Sequence, residues 1–234
     1  MKHLQQLVVC LALVKMRNVR PTDQLTDKLG QCIRDRRKRS FTLFLYPSQL
    51  FQSEVVVESN IINEYIDEAW PQTGVSLLPP LSQPFQRSQA RLWVDYVDKK
   101  MVPPFVKLML KQDESEQVEV TENLLATLKT LTDAMHSEGP FFMGDSLGMV
   151  DIALVPFSLR LFILKKYRGF DIPKEEAEWQ RFLHWRDACE THPSVQETMQ
   201  NISRDGLCAH YEKLVKNPSS SQVASAVNAN KPLP

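Results

Sequence analysis

The chain is poor in glycine, with 7 among 234 residues, and none falls in a G-x-G-x-x-G or Walker-type run. Backbone that curls tightly around a phosphate needs such glycines, so the familiar nucleotide cradles are excluded. Cysteine is scarce as well. Cys10, Cys32, Cys189 and Cys208 lie far apart, with no C-x-x-C pair and no Cys/His cluster at zinc spacing, which implies a reduced, cytoplasmic chain without a metal. The five histidines are scattered, and a helix-ending Pro193 directly after His192 argues against a metal shared by His184 and His192. Lys plus Arg and Asp plus Glu each total 28, so net charge is zero and exerts no overall pull toward nucleic acid or an anionic membrane. No apolar run approaches the about 20 residues of a membrane span. The run near the start, Leu7 to Val14, meets Lys15 and Arg17 at once and no small-residue cleavage site follows, so it reads neither as a span nor as a secretory signal.

What is present is the composition of a folded protein, 43% hydrophobic and 24% charged. Leu4 to Met16 predicts one short helix with Cys10 in its apolar stretch. A thiol on such a face has a raised pKa and packs as core, so Cys10 reads as core, with a reactive thiol as the alternative. The basic cluster Arg34, Arg36, Arg37, Lys38 and Arg39 reads as a solvated face, with an import or nucleic-acid patch as the alternative. Phe41 to Tyr46 and Glu54 to Val57, rich in aromatic and β-branched residues, predict two strands of an edge hairpin.

From Ser59 the period becomes helical, through Ile61, Ile62, Tyr65, Ile66 and Ala69, and Pro71 with Gly74 ends it. The Pro-rich stretch Leu77 to Pro84 predicts a linker. Phe85 to Lys111 predicts a long helix kinked by Pro103 and Pro104, packed antiparallel to a second helix over Glu116 to Met135. At Leu147-Gly148-Met149-Val150-Asp151-Ile152 the spacing predicts a helix start, with Gly148 at the N-cap, Asp151 reaching back to its N–H, and Leu147 and Ile152 as a hydrophobic staple. The following run, Ile152 to Leu164, is apolar on nearly every face and predicts the buried centre of a helical domain. Trp179 to Cys189, Val195 to Ile202 and Leu207 to Leu214 predict three further helices, and the stretch from Asn217, without aromatics, predicts a disordered tail.

Strand Val55-Val56-Val57-Glu58-Ser59 running into a helix, then Leu77-Leu78-Pro79, resembles the end of the glutathione-binding domain of glutathione transferases. The long kinked helix, Phe141-Phe142-Met143-Gly144-Asp145-Ser146, the capping Asp151 and the apolar central helix resemble the second domain of that superfamily, most of all its omega-like fungal branch. The resemblance covers about residues 51 to 215 and implies an α/β plus all-α fold: a partial or atypical thioredoxin-like domain over 1–76, a linker over 77–84, an all-α domain over 85–216 and a tail over 217–234. It implies glutathione as co-substrate, held at its γ-glutamyl end by Glu58 and Ser59, for conjugation to a small electrophile or for thiol transfer and disulfide reduction. Trp93, Tyr96, Lys100, Phe105 and Phe157 fall on the surfaces that line the family's acceptor pocket, although an aromatic stripe at helical spacing also reads as core. A homodimer is implied too. The sequence departs from the family where chemistry begins, because it has no Cys-Pro nucleophile turn and no Val-Pro segment for the cis-proline turn. A non-catalytic interaction module built on the same fold is therefore the alternative.

Overall fold

The computed structural model describes residues 42–44, 55–69, 71, 75–110, 113–200 and 202–216. Cys10, the basic cluster from Arg34 to Arg39 and the tail from Asn217 lie outside the described residues. Strands β1 (Thr42–Phe44) and β2 (Val55–Val57) pair antiparallel, with Leu43 opposite Val56. Helices follow: α1 (Ser59–Ala69), α2 (Pro84–Tyr96), a π-helical turn (Val97–Met101), α3 (Val102–Leu110), α4 (Glu114–Ala134), α5 (Met149–Ser158), α6 (Leu161–Arg168), a 3₁₀ turn (Ala177–Trp179), α7 (Gln180–Thr191), α8 (Pro193–Met199) and α9 (Arg204–Lys216).

The break in the long helix lies earlier than its prolines. Pro103 and Pro104 have no N–H to donate and their rings crowd carbonyls one turn back, so the π turn over Val97–Met101 widens the helix just before them. The chain then continues as α3, which packs on α4. Asp113 starts α4 as its N-cap, its carboxylate accepting from Glu116 N–H at 3.1 Å.

All ten residues of α5 are buried, as the apolar run predicts. The expected single helix to Leu164 is instead two, because the chain leaves the helix at Leu159-Arg160. Pro156 carbonyl would accept from Arg160 N–H in a continued helix. It takes the Arg160 guanidinium at 2.5 Å instead, while Arg160 N–H turns to Phe157 carbonyl at 2.9 Å. Burial lowers the Arg160 pKa to about 10.

Asp151, fully buried, is the polar centre of this domain. Oδ2 accepts from Gly148 N–H at 2.8 Å, as the cap spacing predicts, and Oδ1 accepts from Phe142 N–H at 2.8 Å and Trp185 Nε1–H at 2.7 Å. One carboxylate thus ties the start of α5, the Phe141–Gly144 turn and α7 together. Burial holds its pKa above the ordinary carboxylate range, with the three donors opposing. The turn itself depends on close backbone approach: a Cβ on Gly139 would sit 2.4 Å from the Gly144 carbonyl carbon, and Gly144 has φ of 136°. Arg181 fastens the same loop, donating to the carbonyls of His136, Gly139 and Phe141 at 2.7–2.9 Å.

Candidate functional site

The candidate site is the corner where β2 meets α1. Glu58 makes that corner with φ of 72°, a left-handed conformation rare outside glycine, at a cost of about 1 kcal/mol or more. Its carbonyl accepts from Ile62 N–H at 2.9 Å and so begins the helix, while its side chain is exposed. Ser59 follows as the first helical residue, half-buried. The first N–H groups of a helix have no partner within it, and the first turn of α1 holds no acidic residue to meet them. The corner therefore offers an electropositive helix start with a hydroxyl and, one residue earlier, an exposed carboxylate. That combination can hold a small molecule carrying both a carboxylate and an ammonium group.

The helical domain grips this corner along one edge of α1. Asn60 Nδ2 donates to Asp98 Oδ2 at 2.6 Å, Arg91 holds Glu64 by both Nε and Nη at 2.7–3.2 Å, and Arg87 pairs with Glu68 at 2.8 Å. Residues 60, 64 and 68 are one helical turn apart, so they share the edge that faces α2 and the π turn. Asp98 has a pKa raised chiefly by burial; the Asn60 amide opposes this and the charges of Asp95 and Glu58 add to it. The Glu58 charge thus reaches Asp98. The sequence reading missed Asn60, Asp98 and the Glu64–Arg91 and Glu68–Arg87 pairs. Acidic residues four apart on one helix and arginines four apart on the next mark two charged edges in the sequence but do not pair them.

The connector between α1 and α2 is bonded at both ends. Asp67 accepts from Leu77 N–H at 2.9 Å and Ser76 hydroxyl at 2.7 Å, and Leu77 carbonyl accepts from Met149 N–H at 2.8 Å at the start of α5. Leu77 and Leu78 are buried in the core. Gly148 matters here beyond its capping role, since a Cβ would lie 3.2 Å from the Leu77 carbonyl oxygen.

The five acceptor-pocket candidates separate in space. Phe105 and Phe157 are buried and pack edge to face on each other, ring centres 5.4 Å apart. Trp93 and Tyr96 are half-buried and form a second pair at 5.4 Å, with Trp93 also on Phe142 at 5.6 Å. Lys100 is exposed. Among the described residues, Cys189 and Cys208 are buried free thiols, and burial pushes the Cys189 pKa upward, so Cys189 supplies no ready thiolate. No group of His, Cys, Asp and Glu suited to a metal ion occurs among them, and none of their helices is long and apolar enough to cross a membrane.

Fold and corner together define a class: a strand–helix corner clasped onto an all-helical domain. Comparison with known proteins narrows the class. The family model described as glutathione S-transferase, C-terminal domain, matches residues 95–198. Glutathione S-transferase 3 of Glycine max is 32% identical over 172 residues, covering 73% of this chain and 75% of the relative. Among solved structures, glutathione transferase Omega 3C from Trametes versicolor is 37% identical with a TM-score of 0.57, covering 63% of this chain and 64% of that one. Rice GST1 in complex with glutathione is 30% identical with a TM-score of 0.61, covering 70% and 72%. The chain belongs to the glutathione S-transferase family, and it is a glutathione transferase-like protein.

Proposed function

We propose that this protein binds glutathione at the Glu58–Ser59 corner and uses it in conjugation to an electrophile or in thiol transfer. The carrying observation is Glu58 itself, an exposed carboxylate kept at φ of 72° beside a helix start with no acidic residue in its first turn. The same backbone turn that starts α1 leaves the Glu58 side chain exposed at the corner, where it fits a ligand contact. The γ-glutamyl ammonium would meet the Glu58 carboxylate, and its carboxylate the Ser59 hydroxyl and the N–H groups of α1. The half-buried Trp93–Tyr96 pair and exposed Lys100 would face the acceptor, with Phe105 and Phe157 supporting them from the core.

The Trametes versicolor likeness supports the omega-like placement, the soybean and rice likenesses support plant relatives beside it, and conjugation and thiol transfer both belong to the reading. The domain limits 1–76, 77–84, 85–216 and 217–234, a homodimer and a cytoplasmic location belong to the same reading. Exposed Leu81, Phe85 and Leu92 offer apolar surface for the second copy. Retention on immobilised glutathione tests binding, followed by turnover with a small disulfide and with an aromatic electrophile. Unchanged retention in Glu58→Ala and Ser59→Ala would remove the proposed site. Loss of turnover in Cys10→Ser would make Cys10 the nucleophile rather than core.

A further inference from the structure

Asp205–Gly206 is the single Asp-Gly step in the chain, which has no Asn-Gly step. Both residues are exposed, in the first turn of α9. Each has a helical reason to be there. Asp205 puts a negative charge at the positive end of the helix. Gly206 N–H donates to the Ser203 hydroxyl at 2.9 Å, and a Cβ on Gly206 would lie 2.9 Å from that same oxygen, so this cap closes only on a glycine. Glycine also makes the turn easier to open. Further along, α9 is fixed: Cys208 and Tyr211 are buried, the Tyr211 hydroxyl donates to Met109 carbonyl, and the Tyr167 hydroxyl donates to Glu212. The first turn is held by the Ser203 hydroxyl on Gly206 N–H and by Ser203 carbonyl, which accepts from Leu207 N–H at 3.0 Å. It can therefore open while the rest of the helix stays docked.

We propose that Asp205–Gly206 is a self-modification site, at which the folded chain isomerises to isoaspartate whenever the first turn of α9 opens. In the opened turn the Gly206 backbone nitrogen gives up its proton and bonds to Asp205 Cγ. A protonated carboxyl oxygen leaves as water, which closes a five-membered succinimide. Water then adds at either ring carbonyl, restoring aspartate or leaving the main chain routed through Asp205 Cβ and Cγ. No oxidant, reductant or co-reactant beyond water is involved. Glycine favours the step because no side chain crowds the attacking nitrogen. The closed turn holds the reaction back twice. The Ser203 oxygen keeps the Gly206 N–H, and the ring needs a backbone angle at Asp205 outside the helical range. The isoaspartyl product adds one carbon to the main chain within the turn, so the Ser203 bonds to Gly206 and Leu207 cannot re-form in register and the first turn stays open.

The test is prolonged incubation of the full chain at neutral pH, with isoaspartate counted by enzymatic methylation from S-adenosylmethionine and located by peptide mass mapping. The parent chain should accumulate isoaspartate at position 205, through a transient species lighter by one water. Ser203→Ala removes the cap and should raise the initial rate about fivefold, and the urea-unfolded chain should be faster again. Asp205→Glu cannot close a five-membered ring and should abolish the signal while keeping a negative charge at the start of α9. After incubation, amide hydrogen exchange over 204–207 should quicken in the parent chain and not in Asp205→Glu. Isoaspartate at 205 in the urea-unfolded chain but not in the folded one would overturn the proposal. So would an unchanged rate in Ser203→Ala, a signal that persists in Asp205→Glu, or unchanged exchange in the isomerised parent chain.

Discussion

Replacing Asp151 by alanine removes the acceptor of three buried donors at once: Phe142 N–H, Gly148 N–H and Trp185 Nε1–H, each held at 2.7–2.8 Å. A buried donor left without a partner costs about 1–3 kcal/mol, so the three together should cost about 3–6 kcal/mol after local relaxation. In a chain of this size that corresponds to a melting temperature lowered by roughly 10 to 20 °C. Asparagine should fall between. Its carbonyl can keep the Phe142 and Trp185 bonds, but its NH₂ would face the Gly148 N–H, at about 1–3 kcal/mol. The raised pKa adds a sign in acid. The folded carboxyl holds its proton to higher pH than the unfolded one, so stability falls as pH rises from the ordinary Asp value to the raised one. Asp151→Asn should lack that slope. Urea unfolding followed by far-ultraviolet circular dichroism measures all of this. Alanine within about 1 kcal/mol of the parent chain would refute the account of Asp151 as the tie between three segments.

Three further outcomes are expected. Gly139→Ala should destabilise by about 3 kcal/mol or more, visible in thermal unfolding, because its Cβ would meet Gly144 backbone at 2.4 Å where nothing flexible can yield. His192 accepts from Ser194 N–H through Nδ1 and packs on Phe141, and burial depresses its pKa. With the folded value below the unfolded one, its contribution is full above the ordinary histidine value and is lost as pH falls through the depressed one, so a His192→Asn variant should flatten pH-dependent unfolding there. Glu58→Gly should raise stability by about 1 kcal/mol through relief of the positive φ, measured by urea midpoint, while weakening retention on immobilised glutathione.

Local spacing made the Gly148–Asp151 cap legible, since both partners lie within one helical turn and the backbone brings them together wherever the helix sits. The same holds for the strand–helix corner at Glu58, where β-branched residues give way to a helical period. Trp185 and Phe142 as further partners of Asp151 were not legible, because tertiary packing alone brings α7 and the Phe141 turn to that carboxylate. Nor was the grip of Asp98, Arg91 and Arg87 on α1: charged residues on two helices pair only once the helices' relative placement is known. The prolines at 103 and 104 announced a distortion but not its form, which a π turn upstream supplies. At Arg160 hydropathy concealed the break, since a residue whose guanidinium replaces its own N–H at a carbonyl leaves the apolar pattern intact.

The central claim is a glutathione site at the corner of β2 and α1. Calorimetric titration of glutathione into the parent chain and into Glu58→Gln tests it most directly, since the substitution removes the charge offered to the ammonium while keeping size. A charge-assisted contact of about 1.5–3 kcal/mol predicts a dissociation constant raised roughly ten- to a hundredfold, with enthalpy becoming less favourable. Equal affinity in the two proteins, or no heat from either, would contradict it.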